Sequence, residues 1–422
     1  MLNPSTNTRE LAYVVLIDAI EPIQGSDNCE CANIGGWKVM VHKNEFQVGD
    51  PAIYFEIDSF LDSTNPAFSF MEKKKYKVQT QKYTFGGKGN FISQGLLMSA
   101  KNFGWNICGT GNGQNPNVKN GIIEPDGTVH LINNESRFLT KLLNVTYAET
   151  ADNKRKAPTV DKYKAMSQRH PKLFAKKPIR WLMRREWGRK LMFFFFGKKR
   201  DKKSSWPQWV VKTDEERIEN RPYLLKDKSI KWIATEKIDG TSTTFTLKRG
   251  RWPHKDEFYV CSRNVVFDKP DKSCFYDTNV YLEMAEKYHI LEHMTYMLHN
   301  VFKDCDWITI QGETYGANIQ KRDYHMTNHE FRAFNFITST GGRWNSKKMQ
   351  TLLEKGHYNI PCVPILEESY ILPDTIEELR TYVDSETSMI DGSMREGIVF
   401  RSQDGSQSFK CVSPQYLLTY HQ

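Results

Sequence analysis

The chain has 422 residues, of which 39% are hydrophobic and 26% charged, and its net charge is +9. This length exceeds what one hydrophobic core usually serves, so at least two domains are expected. The apolar run at residues 191–196 is too short to span a bilayer, and the sequence has neither a secretory signal peptide nor a Cys-x-x-Cys pair. We therefore expect a soluble intracellular protein, cytoplasmic or nuclear, with reduced cysteines and no membrane partner.

Residues 1–135 are predicted to form an all-β domain. Strands are expected at residues 12–17, 37–41 and 52–57, with a turn at the two glycines 35 and 36. Short strands at roughly ten-residue spacing favour a small barrel over a βαβ fold. The glycines at 109–113 lie in no strand-then-helix pattern, so a loop is expected there rather than a dinucleotide site.

Residues 136–205 are predicted to be a basic connector. Between residues 151 and 205 the chain carries 19 Lys/Arg against four Asp/Glu, a local charge of +15. Apolar residues at 179, 182, 183, 187 and 191 predict a basic helix within it. Three interpretations stay open: a helix packed on one domain, a nucleic-acid contact, or a membrane or protein surface.

Residues 206–422 are predicted to contain both strands and helices. One amphipathic helix is predicted over Val280–Val301, and its apolar positions are Tyr288, Leu291, Met294, Leu298 and Val301. Its histidines lack the acidic or cysteine neighbours of a metal site, so they are expected to be solvent-exposed, as are the two histidines further on. These residues are His289, His293, His299, His325 and His329.

The sequence Lys237-Ile-Asp-Gly240 follows an apolar, β-prone run that begins at Trp232. A lysine at the end of such a strand can be desolvated, lose its proton and act as a nucleophile. Asp239 stands two residues later, so in a strand it would share the face of Lys237. Gly240 then permits a tight turn.

Further groups supply the other parts of one reaction at a nucleotide phosphate. Asp239, Glu313 and Glu396 are carboxylates that can hold a hydrated Mg²⁺. Arg217, Arg263 and Lys410 are cations that can offset phosphate charge. Phe334, opposed by Ile398 and Val399, can sandwich a purine ring.

The order of these motifs resembles the covalent nucleotidyltransferase superfamily of polynucleotide ligases and mRNA-capping enzymes. The motifs are Lys-x-Asp-Gly at 237–240, Ser-Arg-Asn at 262–264, Gly-Glu-x-Tyr-Gly at 312–316, Ala-Phe-Asn at 333–335, Glu-Gly-x-Val at 396–399 and Phe-Lys at 409–410. With the Lys-Thr-Asp-Glu-x-Arg segment at 212–217 and the N-terminal module at 11–100, the chain is similar to the fifth class of ATP-dependent RNA ligases.

The resemblance implies an α+β fold. An N-terminal antiparallel β-barrel (OB-like) would be followed by a mixed α/β, ATP-grasp-like nucleotidyltransferase domain of antiparallel sheets and helices. The three expected parts are the OB-fold domain at 1–135, the connector at 136–205 and the adenylyltransferase domain at 206–422.

The resemblance also implies roles for individual residues, with ATP and Mg²⁺ or Mn²⁺ as cofactors. Lys237 would become the lysyl-AMP, and Lys410 would contact the α-phosphate. Asp239 and Glu396 would hold metal-bound waters, with Glu313 near the ribose and metal. The remaining nucleotide-binding positions would be Arg217 at the triphosphate, Arg263 and Asn264 at the ribose and phosphates, and Phe334 and Val399 at the adenine.

The implied function is sealing of nicks in duplex RNA by a monomer. A DNA ligase or a capping guanylyltransferase is disfavoured, because only 12 residues follow Lys410 and leave no room for a C-terminal OB domain. A non-catalytic OB-fold nucleic-acid-binding protein is the other alternative, since bases and aromatics interleave at 73–77 and 82–85. One departure from related ligases is Val412, which stands where several of them have a second lysine.

Overall fold

A computed structural model describes residues 1–3, 8–85, 89–108, 121–132, 137–147, 176–183, 185–196, 206–212, 214–267 and 279–421. Two compact units are present, one made of Met1–Ala148 with Trp209–Gln422 and the other of Glu149–Gln208. The predicted domain boundaries at residues 135 and 205 stay a prediction. Among the described helices, none is long and apolar enough to cross a membrane.

The N-terminal part of the first unit is built from short antiparallel strands. They are β1 (Ala12–Leu16), β2 (Ala19–Pro22), β3 (Cys29–Ile34), β4 (Trp37–His42), β5 (Pro51–Phe55), β6 (Ser59–Phe60), β7 (Thr80–Thr84), β8 (Asn90–Gln94), β9 (Leu96–Met98), β10 (Asn106–Cys108), β11 (Gly121–Ile123), β12 (Val129–Leu131) and β13 (Thr146–Tyr147). The strands expected at 12–17, 37–41 and 52–57 correspond to β1, β4 and β5. The glycines at 109–113 lie outside the described residues.

A barrel was expected from the sequence, but the described strands do not close into one. They pair into separate small sheets, in the orders β1-β5-β9, β2-β3-β4, β7-β8, β6-β13 and β10-β11-β12. Each strand has only two to six residues, and 3₁₀ helices at Pro66–Lys74 and Ala100–Phe103 interrupt the run. The apolar side chains are divided between two cores, around Phe55 and around Tyr54, which point to opposite faces of β5.

Two antiparallel sheets form the rest of the first unit. The four-stranded sheet has the order β21-β14-β22-β23 and the six-stranded sheet the order β17-β16-β15-β18-β19-β20. Their strands are β14 (Trp232–Lys237), β15 (Thr241–Lys248), β16 (Glu257–Ser262), β17 (Val266–Phe267), β18 (Trp307–Gly316), β19 (His329–Thr338), β20 (Gly342–Arg343), β21 (Ile365–Tyr370), β22 (Gly397–Ser402) and β23 (Ser408–Val412). The mixed α+β class with antiparallel sheets is therefore confirmed.

Helices are present in both units. The second unit contains α1 (Lys177–Met183) and α2 (Glu186–Phe196). The first unit contains α3 (Val280–Lys287), α4 (Ile290–Tyr296), α5 (Ser346–Leu353), α6 (Ile376–Asp384) and α7 (Pro414–Tyr420). Short 3₁₀ helices lie at Ile218–Asn220 and Pro222–Lys226, and a π-helical turn lies at Met297–Val301.

The single helix predicted over Val280–Val301 is wrong. His289 adopts a left-handed backbone conformation, with φ of +47°, and separates α3 from α4. The break turns α4 so that Ile290 and Met294 are buried while Leu291 and Val301 are exposed. Because α4 begins at a different rotation after this break, the 3.6-residue periodicity of a single helix does not fit residues 280–301.

The basic helix predicted within the connector is also divided in two. Gly188 in α2 lies so close to Leu182 that a Cβ atom would come within 2.1 Å of the Leu182 carbonyl oxygen. Because Gly188 has no side chain, the chain can turn sharply between α1 and α2. Trp181 and Trp187 are about half exposed, and the Arg185 guanidinium lies 4.1 Å from the Trp181 ring. Of the rest of the connector, residues 137–147 belong to the first unit, and residues 136, 148–175, 184 and 197–205 lie outside the described residues.

Candidate active site around Lys237

Lys237 is the last residue of β14, where the chain leaves the four-stranded sheet for the six-stranded sheet. Its Nζ atom donates a hydrogen bond to Glu396 at 2.7 Å. Burial opposes the charge on this amine, but Glu396, Glu313 and Asp239 raise the pKa of Lys237 above its ordinary value. Lys237, whose side chain is 24% exposed, is therefore an ammonium held by carboxylates.

Gly240 is required by close packing at the crossing between the sheets. A Cβ atom there would lie 2.3 Å from the carbonyl oxygen of Thr314 and 3.0 Å from Cγ of Glu313. The absence of a side chain lets the turn after Lys237 lie against β18. Glu313 pairs across this sheet with Ser242 of β15, which brings its carboxylate within electrostatic reach of Lys237.

Asp239 lies beyond the end of β14 rather than in the strand, so strand alternation does not set its direction. Its Oδ2 atom accepts hydrogen bonds from the Tyr416 hydroxyl at 2.8 Å and from His421 Nε2 at 3.0 Å. Burial opposes its charge, but His421, Lys237 and Tyr416 lower the pKa of Asp239 below its ordinary value. The side chain is a buried, ionised acceptor.

Lys410 reaches the site from β23, where it pairs with Val399 of β22. Its Nζ atom donates to Oδ1 of Asp214 at 2.9 Å, and Arg263 donates to Oδ2 of the same carboxylate at 2.8 Å. Burial lowers the pKa of Lys410, and Arg9 and Arg217 add to that effect while Asp214 opposes it. Two cations predicted to bind phosphate thus share one carboxylate.

Arg217 lies beside Lys410, to which its backbone is joined by a parallel β-bridge. The residue is 6% exposed, and its guanidinium lies 5.8 Å from the ring of Trp37 in the N-terminal part. Its Nε and Nη1 atoms are buried with no hydrogen-bond partner among the described residues. Buried donors without a partner are costly, and an anion would satisfy these two.

The predicted base-binding residues divide between the two faces of β22. Val399 pairs with Thr235 and Lys410, so it shares the face of Lys237 and is partly exposed. Ile398 is fully buried on the opposite face, in the core with Phe400, and cannot oppose Phe334. The expected contribution of Ile398 is therefore wrong, because adjacent strand residues point to opposite faces.

Phe334 is half-buried at the edge of a small apolar cluster that includes Ile238, the residue after Lys237. Its carbonyl oxygen accepts a hydrogen bond from Arg401 of β22 at 2.8 Å, which ties β19 to the four-stranded sheet. Asn264 is exposed and lies further out, where its Oδ1 accepts a hydrogen bond from Lys212 at 3.1 Å. Among the described residues, no hydrogen bond or ion pair joins Asn264 to Lys237.

Three carboxylates surrounding one ammonium leave an excess of negative charge, which suits a divalent cation brought in with a nucleotide. Within the described parts of the chain, no three His, Cys, Asp or Glu side chains are close enough together to hold an ion directly. An ion held by Asp239, Glu313 and Glu396 through its water shell is the arrangement predicted from the sequence. Their role as metal-holding residues stays a prediction.

Sequence reasoning assigned no role to three side chains at this site: Asp214, Tyr416 and His421. Asp214 lies within the Lys212–Arg217 segment that the sequence did single out, so its position was the available signal. Tyr416 and His421 reach Asp239 from 177 and 182 residues away. No local pattern in the sequence reveals such a contact.

Val412 has a structural explanation. It is 1% exposed and packs against Ile57 of the N-terminal part and Leu417 of α7. The position that carries a second lysine in several related ligases is here part of an apolar contact between the two parts of the first unit.

Comparisons with known proteins agree with this architecture. Residues 230–412 match the model of the RNA ligase family, and residues 11–99 match the model of an OB-fold domain. A search of curated proteins gave no match.

Among solved structures, the chain is similar to Naegleria gruberi RNA ligase. The structure with pyrophosphate is 22% identical, with a TM-score of 0.66 and coverage of 98% of this chain and 99% of that chain. A variant with ATP and Mn is 22% identical, with a TM-score of 0.65 and 98% coverage of both chains. An apo variant is 23% identical, with a TM-score of 0.67 and coverage of 98% and 99%. The chain is therefore similar to the RNA ligase family over residues 230–412 and to an OB-fold domain over residues 11–99.

Proposed function

We propose that this protein is an ATP-dependent RNA ligase that forms a lysyl-AMP at Lys237, passes the AMP to an RNA 5′-phosphate and joins that end to a 3′-hydroxyl. The proposal rests on the charged side chains that surround Lys237. Its amine bonds to Glu396 at 2.7 Å, has two further carboxylates within electrostatic reach, and lies near Lys410. This is the charge pattern that a nucleotide phosphate and its cation require.

In the first step, the Nζ atom of Lys237 attacks the α-phosphorus of ATP and pyrophosphate leaves. Lys237 must give up a proton, and Glu396 is the acceptor in direct contact with it. Lys410 and the unpaired guanidinium of Arg217 are the donors available to the phosphate oxygens. Phe334 and Val399 would hold the adenine, and Arg263 with Asn264 the ribose and phosphates.

A divalent cation bound with ATP would neutralise phosphate charge and compete with the ammonium of Lys237 for the surrounding carboxylates. Asp239, Glu396 and Glu313 are the residues proposed to hold it through water. Structures of the Naegleria ligase with ATP and Mn, and with AMP and Mn, support ATP and Mg²⁺ or Mn²⁺ as the cofactors of this chain.

In the second step, an oxygen of the RNA 5′-phosphate attacks the phosphorus of lysyl-AMP, and the Lys237 amine leaves. In the third, the 3′-hydroxyl attacks the 5′-phosphate, AMP leaves and the strand is closed. A nick in duplex RNA is the proposed substrate, contacted by the OB-fold domain and by the basic connector, and the protein is proposed to act as a monomer. Membership of the fifth class of RNA ligases belongs to the same proposal.

Sealing of nicked duplexes tests the substrate directly. The protein is incubated with ATP, Mg²⁺ and a nick whose 3′-hydroxyl strand is either RNA or DNA, with Lys237→Met as the inactive control. We expect sealing only where the 3′-hydroxyl strand is RNA, and we expect GTP not to replace ATP. Equal sealing of an all-DNA nick would contradict the RNA-specific proposal.

The connector is tested separately, because its charge acts on RNA rather than on ATP. Deletion of residues 151–200 is expected to weaken RNA binding and reduce its dependence on salt concentration, while the formation of lysyl-AMP continues. Unchanged RNA affinity across a salt titration would remove the connector from the RNA-binding surface.

A further inference from the structure

The carboxylate of Asp239 is fixed on one side by two donors. The Tyr416 hydroxyl and the His421 ring both bond to Oδ2, at 2.8 and 3.0 Å. An ionised carboxylate can only accept, so His421 donates through a protonated Nε2 atom. The backbone is fixed too, because the Asp239 amide donates to the Tyr324 hydroxyl at 2.7 Å. Among the described residues none hydrogen-bonds to Oδ1, which leaves that oxygen for a ligand.

Both donors are held by helix α7, because Tyr416 lies within it and His421 caps its C-terminal end. The Ser413 side chain caps the helix by accepting a hydrogen bond from the Tyr416 amide at 3.1 Å. At its other end, the His421 amide donates to the Leu417 carbonyl at 3.1 Å. Tyr416 is fully buried, and the Arg322 guanidinium lies 5.5 Å from its ring. The two donors therefore have little freedom relative to each other.

The OB-fold domain holds this helix in place. Gln79 donates from its side-chain amide to the carbonyl oxygen of His421 at 2.9 Å. Ile57 packs against Leu417 in the apolar contact that also contains Val412. The direction in which His421 points consequently depends on a residue of the other domain.

We propose that Tyr416 and His421 are positioning residues that fix the orientation of Asp239 for lysine adenylation, and that Gln79 extends this control to the OB-fold domain. The inference rests on the proposed function. Asp239 carries a negative charge within electrostatic reach of the ammonium of Lys237. Without the two donors its carboxylate can turn toward that ammonium and leave the orientation in which Oδ1 is available. Partners of this kind typically change metal affinity or activity by about 10- to 100-fold.

The test uses the full-length protein and four variants. Tyr416→Phe removes only the hydroxyl, His421→Ala removes the second donor, and His421→Gln retains an N–H donor. Gln79→Ala releases the link to the OB-fold domain. Thr419→Ala is the matched control, because Thr419 lies exposed on the same helix and bonds only to the Gln415 carbonyl.

Two readouts are combined. The first is the single-turnover rate of lysyl-AMP formation together with the KM for ATP. The second is Mn²⁺ binding in the presence of ATP, followed by electron paramagnetic resonance in a Lys237→Met background that cannot react. We expect Tyr416→Phe and His421→Ala to lower the rate about 10- to 100-fold with little change in KM, and to weaken Mn²⁺ binding. His421→Gln should recover most of the loss, and Gln79→Ala should show a smaller loss of the same kind.

Wild-type rates and Mn²⁺ affinity in Tyr416→Phe and His421→Ala, with an active wild-type protein, would overturn the inference. A wild-type protein that forms no lysyl-AMP would instead overturn the proposed function. Thermal unfolding identifies any variant that fails to fold. If Tyr416→Phe does so, His421→Ala compared with His421→Gln still decides the matter, because a structural defect would not be rescued by a retained donor.

Discussion

Asp214 accepts a hydrogen bond from Lys410 at 2.9 Å while its other oxygen binds Arg263 at 2.8 Å. A carboxylate thus lies between two cations that are proposed to bind nucleotide phosphates. Burial opposes its charge, but Lys410, Arg9 and Arg263 hold the pKa of Asp214 well below its ordinary range. An incoming phosphate would therefore have to compete with Asp214 for Lys410.

This competition predicts that Asp214→Asn binds ATP more tightly. The amide oxygen can still accept a hydrogen bond, but the competing negative charge is gone. We expect the Kd for ATP to fall about three- to tenfold, measured by calorimetry in the Lys237→Met background to prevent reaction. Asp227→Asn, at an exposed carboxylate that binds Ser229, is the control. Weaker ATP binding would mean that Asp214 orients the cations rather than competing with phosphate.

Phe334 and Phe336 give a matched pair on one strand, since they differ in burial but not in chemistry. Phe334→Ala should raise the KM for ATP about tenfold, because stacking on a base is worth about 1–3 kcal/mol, and should change thermal stability little. Phe336 is fully buried, so Phe336→Ala should cost about 3–5 kcal/mol of unfolding free energy. An unchanged KM in Phe334→Ala would contradict the proposed stacking on adenine.

Val412→Lys tests whether this position has lost a phosphate contact or gained an apolar one. The side chain packs between Ile57 and Leu417, so a lysine there buries a charge without a partner. We expect a loss of about 3 kcal/mol or more in unfolding free energy and no faster adenylation. Val211→Lys, at an exposed position, should be nearly neutral. A stable Val412→Lys variant with faster lysyl-AMP formation would show that the position still faces the phosphates.

Glu56 gives a pH dependence of stability. It is buried in the N-terminal part and contacts the Met1 amino group, Arg9 at 3.1 Å and Asn220 at 3.0 Å. Burial would raise the pKa of Glu56, but the Met1 amine and Arg9 lower it to about 2, from an ordinary 4.5. Because the folded pKa is depressed, the stabilisation is complete above pH 4.5 and is lost as the pH falls toward about 2.

Glu56→Gln should therefore be less stable than the wild type by about 3 kcal/mol at pH 7, and the difference should shrink steadily below pH 4.5. Urea unfolding at a series of pH values measures it, with the exposed Glu72→Gln as the control. A difference that stays constant with pH would mean that the Glu56 carboxyl has the same pKa in the folded and the unfolded protein.

The sequence was most informative about the residues that lie in its nucleotidyltransferase-like motifs. Lys237, Glu396 and Lys410 could be found from their motifs. Strand pairing places Lys237 and Lys410 on one face, and Glu396, just before β22, is joined to Lys237 by a hydrogen bond. The error over Ile398 was avoidable, since alternation in a strand excludes one of two adjacent residues. Asp214 lay within a segment that the sequence did single out.

Other features depend on long-range packing that no local pattern encodes. The contacts of Tyr416 and His421 with Asp239 require α7 to be held against the OB-fold domain by Gln79 and Ile57. The break between α3 and α4 requires His289 to take a left-handed conformation. The open arrangement of the N-terminal sheets follows from the division of apolar side chains between two cores.

The most direct measurement is the site of covalent AMP attachment, found by mass spectrometry of peptides after incubation with ATP and Mn²⁺ in the absence of RNA. The account predicts AMP on Lys237 in the wild type and in Lys231→Met, whose substituted residue is exposed just before the same strand, and none in Lys237→Met. AMP on a different lysine, or an adduct that persists in Lys237→Met, would contradict it.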